Sequence, residues 1–184
     1  MSFKRWIVRV TLLLGVAGWE PAAAQTPAGV TLQVFLQDDG RVPADVLEQA
    51  KHAATRVFAL SNIDVEWIGH GPYRPCSLTV RTVAQTTGPI DRERFVMGIA
   101  PEARKTRGIL AIAYYDRIQL YSATLGLNAS QMLGHVMAHE LGHLLLPHGA
   151  HSTTGVMRGA WDGAQAKQAN LGLLTFSPAE AAYR

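Results

Sequence analysis

The sequence contains a single cysteine, Cys76, among 184 residues. One cysteine excludes a disulfide within the chain, so the fold cannot depend on the cross-links that stabilise small disulfide-rich secreted domains. Its stability must come from a hydrophobic core, which a chain of this length can supply. Cys76 itself is expected to be a small buried side chain, because nothing around it in the sequence marks a reactive thiol.

The sequence also lacks an apolar run long enough to span a membrane. The apolar stretch near its start, residues 10–19, is shorter than the ~20 residues that a spanning helix needs. Basic residues precede this stretch, and Ala22-Ala23-Ala24 follows it with the small-x-small pattern that signal peptidase reads. We therefore predict a signal peptide over residues 1–24 and one mature domain over residues 25–184. An uncleaved membrane anchor is the alternative.

The chain without the predicted signal peptide also lacks a large excess of positive or negative charge. Residues 1–24 contain four charged residues, namely Lys4, Arg5, Arg9 and Glu20. Their removal lowers the formal net charge from +3 to about +1, so the basic pI of the chain comes mostly from this segment. The mature chain therefore gives no reason to expect nucleic-acid binding. We expect an exported protein, periplasmic or secreted, with no stable membrane insertion after cleavage.

The remaining sequence contains short β-branched and apolar runs separated by turn residues. These runs predict strands over residues 30–37, 63–68, 77–84 and 108–115. Apolar residues at helical spacing predict two long helices, over residues 43–60 and 129–146. The strand–helix–strand start favours a crossover connection and a mixed, twisted sheet covered by helices. The expected fold class is therefore α+β, with an α/β-like start.

The second helix has distinct start and stop signals in the sequence. Asn128 is a favourable N-cap, and Gln131 three residues later completes the pattern of a capping box. Pro147 disfavours helical conformation in Leu146, so the helix should end there. Further along, Ser177 before a proline and a glutamate predicts the N-cap and first turn of a terminal helix.

Three residues on the second helix form the pattern His-Glu-x-x-His: His139, Glu140 and His143. Residues four apart lie on one face of a helix, so both imidazoles can reach one metal ion. Glu140 is offset by one residue, which places its carboxylate beside the metal, where it can take a proton from water. The pattern predicts a Zn²⁺ site with two ligands and a general base on one helix. The alternative is two core histidines beside a partly exposed glutamate.

A catalytic zinc ion has a third protein ligand and leaves its fourth position to water. Two histidines follow the helix closely, His148 and His151, and either is a candidate for the third ligand. If both bound the ion, the site would be closed by four protein ligands, as structural zinc sites are.

The stretch from about Asn128 to Met157 resembles the metzincin clan of zinc metallopeptidases. Metzincins carry H-E-x-x-H-x-x-G-x-x-H, followed by a methionine turn. Here the sequence HELGH over residues 139–143, a downstream histidine, and Gly-Val-Met over residues 155–157 stand in the same order. A metzincin-like domain would also have a mixed sheet, an active-site helix and a terminal helix.

The chain departs from the metzincin pattern between the helix and the third histidine. The glycine and the histidine of the pattern would fall at Leu146 and Gly149, as if the turn before the third ligand were longer here. His151-Ser152 resembles the His-Ser pair that closes the motif in matrixin-like members. The same stretch is similar to exported bacterial proteins with H-E-x-G-H, a delayed His-Ser and a Gly-Ile/Val-Met. The resemblance therefore favours His151 as the third ligand, with His148 as the alternative.

The resemblance implies a zinc-dependent peptidase that hydrolyses a peptide or protein substrate. It assigns the Zn²⁺ to His139, His143 and His151, the general base to Glu140, and an apolar floor beneath the ligands to Met157. Two other functions remain open, a catalytically inactive zinc-containing binding or scaffold protein and a non-peptidase amide hydrolase. The intact Glu140 argues against the first, since a purely structural site has no use for that carboxylate. The sequence specifies neither the cleavage specificity nor the oligomeric state.

Overall fold

The computed structural model describes residues 30–39, 42–69, 77–83, 96–101, 109–147 and 151–183. The predicted signal peptide, Cys76, His148 and Gly149 lie outside these ranges, so the expectations placed on them are not addressed by the structure. Within these ranges, every helix is too short or too polar to cross a membrane.

The described residues form five strands and five helices, in an order that confirms the expected α+β class. The strands are β1 (Val30–Asp38), β2 (Ile63–Ile68), β3 (Leu78–Val83), β4 (Gly98–Ile99) and β5 (Leu110–Tyr114). The helices are α1 (Ala44–Ala59), α2 (Tyr115–Leu125), α3 (Ala129–Leu145), α4 (Gly163–Asn170) and α5 (Pro178–Ala181).

The strands form one mixed sheet in the order β2-β1-β3-β5-β4. Strands β1, β2, β3 and β5 are mutually parallel, and α1 connects the neighbouring strands β1 and β2, as the strand–helix–strand start predicts. Strand β4 pairs antiparallel with β5 and is the last strand of the sheet among the described residues. Strand β4 is not predicted by the sequence pattern, because it consists of only two residues, too few to show a strand periodicity.

Helix α3 packs against α1 and against β5, so that nearly all of its residues are buried. Gly134 permits this packing, because a Cβ atom there would collide with the backbone of Ala50 and the side chain of Ala53. The apolar residues Leu133, Met137 and Leu141 are fully buried and join the main core. The helix that carries the His-Glu-x-x-His pattern is thus a rigid central element of the fold.

The predicted N-cap of α3 is confirmed, but the predicted capping box is not. The side chain of Asn128 accepts hydrogen bonds from the backbone N–H groups of Ser130 (2.9 Å) and Gln131 (3.2 Å). The side chain of Gln131 does not return the bond; it accepts from Arg56 of α1 instead. The backbone N–H of Asn128 donates to the side-chain oxygen of Asn170 at 2.7 Å, so a residue distant in sequence takes the role expected of Gln131.

The ends of the helices otherwise follow the sequence signals. Helix α3 stops at Leu145, and Leu146 is extended (ψ 147°), as the following proline requires. Ser177 is the N-cap of α5, as predicted, and the side chain of Glu180 completes a capping box there. Helices α2 and α4 were not predicted. Asp162 begins α4 with a capping box of its own, but only two alanines of that helix are buried, so its apolar pattern is faint.

Candidate metal centre

The His-Glu-x-x-His residues lie on the buried part of α3. His139, Glu140 and His143 are 8%, 5% and 9% exposed. The two imidazole rings meet edge to face with centroids 4.6 Å apart, and their Nε2 atoms are separated by 3.0 Å. Helical spacing therefore brings the two nitrogens together as the sequence predicts.

His151 completes a cluster with these two histidines. Its ring centroid lies 5.4 Å from that of His139 and 4.8 Å from that of His143. One ligand atom from each of the three lies within 4.8 Å of the others, and the cluster can hold a metal ion. Among the described residues it is the one such group of histidine, cysteine or carboxylate side chains that is found. His151 is exposed, so the cluster opens to solvent on its side.

The spacing of the nitrogens fits a tetrahedral metal ion. Two nitrogens bound at ~2.0–2.1 Å to one tetrahedral ion are about 3.3 Å apart, close to the 3.0 Å between the Nε2 atoms of His139 and His143. The pair His139 and His143 is thus close to a coordinating spacing, and the ligand atom of His151 lies within 4.8 Å of both. The donor set is three imidazoles, which suits zinc and several other transition metals.

The loop after His151 orients His139. The Nδ1 atom of His139 lies 2.6 Å from the carbonyl oxygen of Val156, which can only accept, so Nδ1 carries the proton and donates it. That tautomer leaves the lone pair on Nε2, which faces the other histidines. The indole Nε1–H of Trp161 donates to the same Val156 oxygen at 3.2 Å.

His139 is held in the form that binds metal. Burial lowers the pKa of His139 to about 4, and the neighbouring His143 and His151 also lower it. The hydrogen bond to the Val156 carbonyl raises this pKa, but by less than burial lowers it. At neutral pH the His139 ring is therefore uncharged. A neutral imidazole is the form that ligates a metal ion.

Glu140 lies outside the histidine cluster but close to it on the same helix, as the sequence predicts. Burial raises the pKa of its carboxyl group to about 8. Strand β4 forms the wall next to this side chain, because a Cβ atom at Gly98 would lie 2.6 Å from Glu140 Oε1. Burial raises the pKa of the Tyr114 hydroxyl group, and the charge of the Glu140 carboxylate also raises it.

Met157 packs directly beneath the histidine helix. It is fully buried, and a Cβ atom at Gly142 would collide with its sulfur. Gly142 is the glycine of the HELGH sequence, and its missing side chain is what lets Met157 approach the helix between the two histidines. Gly155 turns the chain before it with a positive φ of 73°, a conformation that favours glycine.

Two further residues contact the cluster, and the sequence pattern predicts no role for either of them. A Cβ atom at Gly159 would lie 2.6 Å from His151 Nδ1, so the backbone of Gly159 packs against the imidazole ring. The ring of Trp161 meets that of His139 edge to face at 6.0 Å. Both residues follow Met157 within four positions, and no pattern within a single sequence distinguishes them from ordinary loop residues.

His135, one turn before His139, does not join the cluster. Its ring is fully buried, and Nδ1 donates to the Gln131 carbonyl of the preceding turn at 2.8 Å. Its Nε2 atom has no hydrogen-bond partner within the described part of the chain. Burial lowers the pKa of His135, so this histidine is a neutral core residue of α3.

Comparisons with protein-family models and with curated proteins found no match for this chain. The functional interpretation therefore depends on the residues themselves. They comprise three clustered histidines that can hold a metal ion, and beside them a buried carboxyl group on the same helix.

Proposed function

We propose that this protein is a zinc-dependent metallopeptidase of metzincin-like type. The observation that carries the proposal is the cluster of His139, His143 and His151 with Glu140 next to it. The order of these residues, followed by Met157, matches the order of the metzincin motif. The longer turn before His151 is the departure from it.

Zinc is the metal that the cluster suits best within this proposal. Zn²⁺ commonly takes three protein ligands in catalytic sites, and imidazole nitrogen is among its preferred donors. When bound, such an ion would lower the pKa of a coordinated water toward ~7 and polarise a substrate carbonyl. The exposure of His151 leaves the cluster accessible to water and substrate.

Glu140 acts as the general base in this proposal. Burial alone keeps its carboxyl group protonated at neutral pH, with a pKa of about 8. A positive charge held by the adjacent histidines favours the ionised form. The carboxylate can then take a proton at an Oε atom from a water molecule beside the histidines and pass it to the leaving amine nitrogen. A cation held by the histidines would thus increase the fraction of Glu140 that can act as a base at neutral pH.

The position of β4 favours a peptide as the substrate over other amides. This strand ends the sheet among the described residues, and Gly98 lies against Glu140. An extended peptide can pair with the free edge of such a strand through its main chain. That pairing would bring a peptide bond next to the carboxyl group. The neighbouring strand β5 is less available for such pairing, because β4 already pairs with its residues Ile112 and Ala113.

We further propose that the protein is exported and acts in the periplasm or outside the cell. This proposal rests on the sequence of residues 1–24 alone. It is tested by expressing the full chain in a bacterial host and determining the amino terminus of the extracytoplasmic product.

The function is tested by zinc analysis and hydrolysis assays on the processed protein. We expect one zinc per chain, retained in Glu140→Gln and in His148→Ala but lost in His151→Ala. Hydrolysis of casein or a peptide library should be abolished in Glu140→Gln, because the proton acceptor is gone. Wild-type turnover in Glu140→Gln would contradict the mechanism. Zinc without turnover in the wild type, together with loss of zinc in His148→Ala, would favour the scaffold alternative instead.

A further inference from the structure

We propose that Trp161 is a positioning residue that fixes His139 in the orientation required for metal binding. The inference rests on the proposed metal site but concerns a residue that lies outside the His-Glu-x-x-His pattern and the methionine turn. Trp161 acts on His139 in two ways, through a shared hydrogen-bond acceptor and through ring contact.

The shared acceptor is the carbonyl oxygen of Val156. It accepts from His139 Nδ1 at 2.6 Å and from Trp161 Nε1 at 3.2 Å. A carbonyl oxygen has two lone pairs, and both are used here by ring N–H donors. The indole therefore holds the Val156 carbonyl group in the orientation in which it accepts the hydrogen bond from His139 Nδ1. With that proton fixed on Nδ1, the Nε2 lone pair of His139 faces the cluster.

The ring contact limits rotation of His139 about its side-chain bonds. The indole and imidazole rings are nearly perpendicular, at 86°, with centroids 6.0 Å apart. His143 contacts the same imidazole in a second edge-to-face arrangement, at 87°. The His139 ring thus has aromatic neighbours in addition to its hydrogen bond, and a tilted ring would have to displace one of them.

Trp161 is itself held in place by neighbouring elements. Its backbone carbonyl accepts a hydrogen bond from the Tyr121 hydroxyl of α2 at 3.3 Å. The next residue, Asp162, is the N-cap of α4 and pairs with Arg158 at 3.3 Å. The indole is partly buried against the main core. A side chain that is anchored in this way can transmit its position to a ligand, as outer partners of metal-binding histidines commonly do.

The test compares Trp161→Phe with Trp67→Phe in the processed protein. Phenylalanine keeps an aromatic ring and removes the indole N–H. Trp67 provides the matched control, because its Nε1–H also donates one hydrogen bond, to Thr55 Oγ1 at 2.9 Å, on strand β2 away from the cluster. Zn²⁺ affinity is measured by competition with a chromophoric chelator, and the absorption spectrum is recorded with Co²⁺ in place of Zn²⁺. The His139 Nδ1–H resonance of the metal-free protein is followed by NMR.

We expect Trp161→Phe to bind Zn²⁺ at least tenfold more weakly, within the range that loss of an outer partner of a metal ligand produces. Its Co²⁺ spectrum should change, and its His139 Nδ1–H should exchange faster with solvent. Trp67→Phe should match the wild type in all three measurements, while the melting temperatures of the two metal-free variants fall by similar amounts.

Different results overturn different claims. Zn²⁺ affinity within twofold of the wild type, with an unchanged Co²⁺ spectrum and an unchanged Nδ1–H exchange rate, would overturn the role of Trp161 and leave the metal site intact. Failure of the wild type to bind Zn²⁺ or Co²⁺ would overturn the proposed function and this inference together. Equal weakening in Trp67→Phe would also overturn the inference, because the effect would then reflect general loosening of the fold.

Discussion

At the scale of single residues, three glycines lie so close to the side chains of the site that a Cβ atom on any of them would collide. The pairs are Gly98 with Glu140, Gly142 with Met157, and Gly159 with His151. Each glycine leaves room for a different group: the carboxyl group, the packed methionine and the third histidine. Only Gly142 stands out in the sequence, because it belongs to HELGH.

Gly159→Ala should separate metal binding from folding. The new methyl group would meet the His151 ring, which is exposed and can swing into solvent at little cost to the fold. We expect Zn²⁺ affinity to fall about 10- to 100-fold, as on loss of other ligand-orienting contacts, with a nearly unchanged melting temperature without metal. Gly163→Ala is the matched control, since no atom lies within 4 Å of a Cβ there. Unaltered Zn²⁺ affinity in Gly159→Ala would show that His151 is not held by this contact.

At the scale of elements, α3 combines structural and functional roles at opposite ends. Its first turn is fixed by Asn128 and, through the Asn128 backbone, by Asn170 of α4. The histidines lie in its last two turns, beyond a buried apolar stretch that packs on α1. The cap should therefore influence the stability of the protein without altering the geometry of the cluster.

Asn128→Ala should lower the free energy of unfolding by about 1 kcal/mol, the usual effect of removing an N-cap side chain. Asn128→Ser, which keeps a capping oxygen, should recover most of that loss. Zn²⁺ affinity should be the same in both variants, because the cap is three turns from the histidines. Denaturant unfolding of the metal-free proteins measures the first effect, and chelator competition measures the second. A drop in Zn²⁺ affinity with Asn128→Ala would contradict this separation.

The elements that could be predicted are those with strong local signals. Helix α3 and strands β1 to β3 have long apolar patterns or defined caps, and the structure places them within about two residues of the expected bounds. Helix α2 was missed because β5 runs directly into it at Tyr115 without a turn residue. Strand β4 was missed because its pairing depends on β5 rather than on its own sequence.

The residues of the candidate site likewise fall into those that the sequence predicts and those that it does not. His139, Glu140, His143 and His151 could be identified because helical spacing and motif order are visible in one chain. The contacts from Gly98, Gly159 and Trp161 could not be identified in advance, because they arise from how the loop and the edge strand pack around the helix. The sequence therefore predicts which histidines come together and that Glu140 lies beside them, but not which residues hold these side chains in place.

At the scale of the whole molecule, the buried ionisable groups make stability depend on pH in two directions. The pKa of His139 is lowered by burial to about 4, so its contribution is fully present above its ordinary value of 6.5 and is lost as the pH falls through about 4. The pKa of Glu140 is raised by burial to about 8, so its contribution is present below 4.5 and is lost as the pH rises through about 8.

The metal-free protein should therefore melt at lower temperature both in acid and at alkaline pH. We expect Glu140→Gln to keep the acid-side decrease between pH 6.5 and 4 but to lose much of the decrease around pH 8, because its amide cannot ionise. Zinc should raise the melting temperature more at neutral and alkaline pH than in acid, because a metal ion binds the neutral form of imidazole. Thermal melts of both proteins from pH 4 to 9, with and without zinc, measure this. Identical alkaline profiles would contradict the assigned burial of Glu140.

The three histidines lie within one short segment of the chain, residues 139–151. Val156, whose carbonyl oxygen accepts the hydrogen bond from His139 Nδ1, follows five residues after His151. Gly98, which walls in Glu140, comes from a strand some forty residues earlier. Contacts of short sequence separation form at lower entropic cost and form sooner than those between distant segments. During folding, the histidine cluster that can hold a metal ion should thus assemble before Gly98 closes around the Glu140 carboxyl group. Assembly of the cluster and enclosure of that carboxyl group would then be two successive stages in the folding of one polypeptide.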